Sequence, residues 1–149
     1  MFFKTEEIKN NNFQAKICAL LIHAAKIDEN YTEKEEKIIR KTLGKLGLEK
    51  ENISKTIEDA KIIEENSNQI LDFTREVKNL PEKDKITIIE SLWSIIYSNK
   101  NADIYETNLM RRLAGLLYID NKTMGDIKEK IKQNLKWLIS LMIIVLSAN

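Results

Sequence analysis

Apolar residues recur every three or four positions along most of this chain, the spacing that places them on one face of an α-helix. In the first such segment, about residues 13–27, Phe13, Ile17 and Leu21 share one face. The further predicted helices are about 32–46, 49–65, 69–79, 82–97 and 103–117, and a last one that starts near Thr123. Polar runs without periodicity separate them. The pattern therefore predicts an all-α fold, a single compact bundle of about seven helices.

Three positions carry signals for helix ends. Thr32 and Glu35 have the spacing of a capping box, in which the hydroxyl and the carboxylate each bind a free backbone N–H. Gly47 and the nearby Gly44 suit the end of the same helix, since a residue in the left-handed conformation often closes the last turn. Pro81, the one proline of the chain, fits the first turn of the next long helix.

The composition narrows the class of protein. A chain of 149 residues is sufficient for one domain, and four glycines and one proline are too few for the many turns of an all-β fold. There are 24 basic and 23 acidic residues, for a net charge of +1, so we expect no nucleic-acid partner. No segment has the layout of a signal peptide or the ~20 apolar residues of a membrane-spanning helix. We therefore expect a cytoplasmic location.

Catalytic chemistry finds no support in the sequence. Cys18 and His23 are the only cysteine and histidine, which excludes a disulfide within the chain and a cysteine-based zinc site. Five positions apart on one helix, their side chains point about 140° apart, so they do not form a nucleophile and its base. We assign no catalytic residue and predict that the protein is not an enzyme.

Two stretches 71 positions apart resemble each other. Residues 20–48 and 91–119 each consist of an apolar helix, a polar turn and a second helix. The identical pairs are Leu21 and Leu92, Asn30 and Asn101, Glu35 and Glu106, Arg40 and Arg111, Gly44 and Gly115, and Leu46 and Leu117. The shift is longer than a solenoid repeat. It predicts a duplicated helix-turn-helix hairpin inside one bundle.

The hairpins also carry a family pattern. The residues concerned are AAKIDENYTEKE at 24–35, LW at 92–93, YE at 105–106, LMRRLA at 109–114 and, between the hairpins, DFTR at 72–75. Over about residues 13–133 the chain resembles the TerB-like family, which includes the tellurite-resistance TerB proteins and the N-terminal domain of DjlA-type co-chaperones. The resemblance implies an all-α bundle of about seven helices, in agreement with the periodicity.

The resemblance further implies that acidic residues of the two turns cluster around a divalent cation. The matched positions, with the hydroxyl of Thr32 added, are Asp28, Thr32, Glu35, Asn99, Asp103 and Glu106. Oxygen ligands of this kind suit Ca²⁺ or Mg²⁺. Family members usually carry Asp-Gly in both turns, whereas here Glu29 and Lys100 replace the glycines and Asn99 replaces the second aspartate. The same side chains also suit helix caps without any metal. Both alternatives stay open, and we expect no other cofactor.

The end of the chain differs from the rest. We divide it into a helical domain, 1–134, and an apolar tail, 135–149. Lysines at 128, 130, 132 and 136 precede an apolar run, 137–146, in which Ser140 is the one polar residue. As a helix this run is apolar on every side and cannot stay solvated. It either packs on the bundle or on a second copy, or inserts shallowly into a membrane with the help of the lysines, or lies poorly ordered outside the domain.

These observations lead to one hypothesis and one alternative. The first is a non-enzymatic, TerB-like accessory or interaction domain, stress- or membrane-associated, with a weak divalent-cation site. The alternative is a regulatory sensor whose turns change shape on binding Ca²⁺ or Mg²⁺. Expected partners are another protein or a second copy of the chain, together with peripheral contact of the tail with the inner membrane.

Overall fold

The computed structural model describes residues 11–26, 32–67, 71–75, 77–98 and 104–148. Within these ranges the chain forms helices and no strand, which confirms the predicted all-α fold. The helices are α1 (Asn11–Ala25), α2 (Glu33–Lys45), α3 (Lys50–Glu65), α4 (Leu71–Thr74), α5 (Glu82–Ser98), α6 (Ile104–Leu116) and α7 (Asn121–Ser147), with a 3-10 turn, Val77–Asn79, between α4 and α5.

Helix α1 lies at the centre of the bundle. It packs against α2, α3, α4 and α5. From Gln14 to Ala25, every side chain except Lys16 and His23 is buried. A helix that is apolar nearly all round is stable only when other elements cover all its sides. The apolar sequence of α1 therefore requires a central position, which α2, α3, α4 and α5 surround.

The predicted fourth helix, 69–79, is wrong. The structure has one turn of helix, Leu71–Thr74, followed by the 3-10 turn Val77–Asn79. Phe73 and Val77 are buried and hold both short pieces on the core. β-Branched residues and asparagine have low helix propensity, so here packing outweighs the weak preference for one continuous helix. The other predicted bounds agree with the structure to within two residues.

Helix α2 ends as the glycine signal predicts. Gly47 has φ of 100°, in the left-handed region. Its N–H donates to the carbonyl of Gly44 at 3.0 Å, and the N–H of Leu48 donates to the carbonyl of Leu43 at 3.0 Å. This pair of bonds is the Schellman motif, in which the left-handed residue directly follows the cap. Gly44 lies inside the helix and only provides an acceptor.

Helix α6 ends in the same way, with one change. The N–H of Ile119 donates to the carbonyl of Ala114 at 2.9 Å, and the N–H of Tyr118 donates to that of Gly115 at 3.4 Å. The left-handed residue is Tyr118, with φ of 57°, and it stands 71 positions after Gly47. The two hairpins therefore end in the same backbone motif, closed once by glycine and once by tyrosine.

The burial pattern also follows the 71-residue shift. Pairs of equivalent positions buried in both hairpins include Ile17 and Ile88, Cys18 and Ile89, Leu21 and Leu92, Ile39 and Met110, Leu43 and Ala114, Leu46 and Leu117, and Leu48 and Ile119. Weak sequence identity thus accompanies a strong correspondence of core positions. The matching core positions and closing motifs agree with the duplication predicted from the sequence, in which α1–α2 corresponds to α5–α6.

Candidate functional site

The first acidic turn leads into α2 through a capping box. The backbone N–H of Thr32 donates to Oε2 of Glu35 at 2.9 Å, and the Thr32 hydroxyl contacts the same oxygen. Reciprocal capping of this kind satisfies backbone donors that the first helical turn leaves without a partner. The capping role predicted for these two residues is confirmed.

The second oxygen of the same carboxylate is unusual. Glu35 is 0% exposed, and its Oε1 has no hydrogen-bond partner among the described residues. A buried carboxylate oxygen without a partner is costly, because its lost hydration is not replaced. This oxygen lies at the start of α2, directly after the acidic turn, and is chemically suited to a cation or a further donor.

Most of the predicted cation site lies outside the described residues. Asp28, Asn99 and Asp103 lie outside the described residues, and so does the side chain of Glu106. Of the six predicted ligands, the structure therefore brings together Thr32 and Glu35. In the described ranges no three His, Cys, Asp or Glu side chains form a group that could hold a metal. The cation site stays a prediction.

Cys18 has the properties of a core residue. It is fully buried in α1, and burial raises the pKa of its thiol to about 12. At neutral pH the sulfur is therefore a thiol and not the thiolate that acts as a nucleophile. His23 lies at the edge of the core with its ring 6.0 Å from that of Phe73, and burial lowers its pKa. The described part of α1 thus provides no activated nucleophile.

The first part of α7 is attached to the bundle. Met124 and Ile127 are buried, and the helix packs mainly against α5. Lys130 pairs with Glu90 at 2.8 Å, and the ammonium of Lys128 lies 5.4 Å from the ring centroid of Trp93. These contacts fix the direction in which the rest of α7 leaves the bundle.

The second part of α7 leaves the bundle as a continuous, exposed helix. The large apolar side chains between Trp137 and Leu146 are 40–68% exposed, on all sides of the helix. Of the placements expected for the tail, packing across its own bundle is therefore not observed. Monomeric soluble proteins rarely expose a contiguous apolar surface of more than a few hundred Å². No helix among the described residues is long and apolar enough to cross a membrane.

A groove lies beside the base of this exposed helix. Helices α2, α5 and α7 line this open groove, which has a volume of about 380 Å³. Its lining consists of Ile38, Lys41, Thr42, Lys45, Thr87, Glu90, Ser91, Ser94, Lys130, Ile131, Asn134, Leu135 and Leu138. Local sequence patterns do not predict this groove, because three helices distant in sequence form its walls. The lysines at 41 and 45, one helical turn apart on α2, are the one signal visible in the sequence.

The fold and these surface features together define a class of protein. It is an all-helical domain built from two similar hairpins, with a buried glutamate at an acidic turn and an apolar helix that projects from the bundle. The sequence model of the family described as tellurite resistance protein TerB matches residues 14–129. The match covers most of the chain, so the protein belongs to the TerB family, as its hairpin residues predicted. Searches among curated proteins and among solved structures find no match.

Proposed function

We propose that this TerB-family protein is a non-enzymatic interaction domain that attaches to the surface of a membrane through the apolar end of α7. The exposed run 137–146 carries the proposal. The location that follows is the cytoplasm, at the inner membrane. The helical bundle would then present its remaining surface to a protein partner.

The all-round apolarity of the run favours lipid over a protein partner. A second helix covers one stripe of its neighbour and leaves the other sides in water. Lipid covers every side of an inserted helix. Ten residues of helix are about 15 Å long, roughly half of the ~30 Å hydrocarbon core of a bilayer. The run therefore suits insertion into one leaflet.

The base of the run suits the lipid headgroups. Lys132 and Lys136 are exposed, and no acidic residue follows Glu129. Basic side chains next to an inserted helix gain about 1 kcal/mol each near an anionic leaflet. Trp137 follows directly, and tryptophan is enriched at the boundary between headgroups and hydrocarbon. Charge, aromatic ring and apolar run thus come in the order that a membrane surface requires.

Flotation of the whole chain with lipid vesicles tests the proposal. The wild type is expected to float with vesicles of phosphatidylcholine and phosphatidylglycerol, and the variant Ile139→Asp/Ile143→Asp to stay behind. Ile62→Asp is the matched control, because Ile62 is an equally exposed isoleucine on α3, 59% against 57% and 61%. Absence of the wild type from the floating fraction would contradict the proposal. Sedimentation without lipid distinguishes membrane attachment from self-association. Self-association through the same run would give a wild-type dimer that dissociates in the double variant.

A second function, divalent-cation binding at the first turn, is favoured by one observation, the buried Oε1 of Glu35. Binding would make the domain a Ca²⁺ or Mg²⁺ sensor. We expect millimolar ion to raise the melting temperature, since a ligand that binds the folded state stabilises it. Asp28→Ala with Glu106→Ala should remove the shift, and Glu33→Ala, an exposed acid of the same helical turn, should not. An unchanged wild-type melting temperature would refute the cation site.

A further inference from the structure

The groove between α2, α5 and α7 adjoins the segment that the proposed function places in the membrane. Leu135 and Leu138 line the groove, and Leu138 is also the second residue of the exposed run. A molecule in the groove would therefore touch the inserted helix at its base. We propose that the groove binds the phosphate-bearing headgroup of an anionic phospholipid, an inference that rests on membrane attachment through α7.

The charges of the groove are complementary to a phosphate. Its lining contains three lysines and one acid, Glu90. Lys130 neutralises Glu90 across the helix interface at 2.8 Å. Lys41 and Lys45 remain, both exposed and on the same face of α2, and neither forms an ion pair within the described part of the chain. Two cations one helical turn apart can approach the same phosphate group.

The hydroxyl groups of the groove are already hydrogen-bonded within the protein, so the lysines are the groups that would bind the phosphate. Thr42 and Ser91 are buried at its floor; the hydroxyl of Thr42 donates to the carbonyl of Ile38 at 2.8 Å and accepts from the hydroxyl of Ser91 at 2.7 Å. Ser94 donates to the carbonyl of Glu90 at 2.8 Å and Thr87 to that of Lys83 at 3.1 Å. Since a hydroxyl has one proton, these side chains are engaged within the protein. The donors left for an anion are the ammonium groups and the amide of Asn134.

The remaining wall of the groove is apolar, and this favours a lipid over a free anion as the ligand. Ile38, Ile131, Leu135 and Leu138 give the groove an apolar side next to the lysines. Inorganic phosphate has no part that would gain from this surface. A phospholipid has both parts, a charged headgroup and, a few ångströms away, the start of its acyl chains. The combination of two cations, an apolar wall and a direct connection to the inserted helix fits the lipid.

The test compares two pairs of lysines in the full-length chain. Lys41→Ala/Lys45→Ala removes the groove cations, and Lys50→Ala/Lys55→Ala removes the same charge from exposed positions on α3, which does not line the groove. We expect the first pair to weaken binding to phosphatidylglycerol-containing vesicles about tenfold or more, by the gain typical of a lysine at an anionic surface. The control pair should change it by less than about threefold, and binding of either variant to pure phosphatidylcholine should equal that of the wild type.

Each other outcome overturns a defined part of the argument. Equal losses for the two pairs, or equal binding of the wild type to both kinds of vesicle, would refute the headgroup site and leave membrane attachment intact. Inorganic phosphate alone could also produce saturable NMR chemical-shift changes at the backbone amides of the groove. If the wild type then showed no preference for anionic vesicles, the groove would be a site for free phosphate instead. Failure of the wild type to bind any vesicle would refute both proposals. Thermal melting of each variant checks that the fold is unchanged.

Discussion

The two hairpins, α1–α2 and α5–α6, share a backbone motif and differ in the side chains that serve it. The ammonium of Lys85, a buried residue of α5, donates to the carbonyl of Leu117 at the end of α6 at 3.0 Å. Gln14 occupies the equivalent position on α1 and is equally buried, yet its amide nitrogen has no partner among the described residues. Gly47 closes the first hairpin without strain, and Tyr118 closes the second.

This difference indicates that buried core positions and polar contacts at the helix ends are under separate constraints. Equivalent positions are buried in both hairpins although few of their residues are identical. Backbone N–H groups close the last helical turn in both hairpins, whereas the carbonyl of Leu117 receives an additional donor from Lys85 that Gln14 does not supply in the first hairpin. If this description is correct, core substitutions should act equally in both hairpins, and substitutions at the helix ends should not.

The largest expected effect is a loss of core volume. Leu21→Ala and Leu92→Ala remove equivalent side chains that are fully buried. Each should lower the free energy of unfolding by about 2–5 kcal/mol, through lost burial and the cavity that remains. Urea unfolding measures both. Leu71→Ala, at an exposed leucine, is the control and should change stability little. Losses that differ severalfold between the hairpins would break the equivalence.

The second-largest expected effect concerns the hydrogen bond from Lys85 to the carbonyl of Leu117, which has no counterpart from Gln14 among the described residues. Lys85→Met keeps the apolar stem but leaves the carbonyl of Leu117 without its donor, which should cost about 1–3 kcal/mol. Gln14→Met should be close to neutral, because the amide nitrogen that it removes has no partner in the described structure. The same unfolding experiment compares the two. Equal effects would show that the contact made by Lys85 adds nothing to the second hairpin.

The left-handed positions give a smaller effect of opposite sign. Tyr118 is 72% exposed, so burial does not compensate for its φ of 57°. The ammonium of Lys78, 6.0 Å from its ring centroid, offsets part of the strain. Tyr118→Gly should therefore stabilise the protein by up to about 1 kcal/mol, and Gly47→Ala should destabilise it by about as much. A lower melting temperature for Tyr118→Gly would show that the ring contributes more than its backbone costs.

The sequence predicts those features that depend on local pattern. Periodicity gives the fold class and most helix bounds, and the Thr32–Glu35 spacing and Gly47 give the ends of α2. The division of the fourth helix depends on packing of Phe73 and Val77, which local propensity does not encode. Lys85 was unexpected because a lysine is rarely buried, and here the carbonyl that it binds lies on another helix.

The candidate sites show the same limit. The capping role of Glu35 follows from its spacing to Thr32, but the isolation of its second oxygen depends on what packs above it. The exposed run of α7 is visible in the sequence as a run of apolar residues. The groove at its base is not, because Lys41, Ser91 and Leu138 become neighbours only when α2, α5 and α7 meet. Polar grooves between helices distant in sequence leave no local pattern.

The smallest effect concerns pH and belongs to the first hairpin alone. Burial lowers the pKa of His23 below its ordinary 6.5, and nearby Glu64 opposes the shift. The equivalent residue of the second hairpin is Ser94, which does not titrate. Since the unfolded chain binds a proton at His23 more readily than the folded one, this contribution to stability is complete above pH 6.5 and is lost as the pH falls through the folded pKa. His23→Gln should flatten the dependence of the melting temperature on pH between 7 and about 5, where most carboxylates stay ionised. Ser94→Ala is the control and should leave that dependence unchanged. A slope that His23→Gln does not reduce would place the acid sensitivity elsewhere in the bundle and remove this difference between the hairpins.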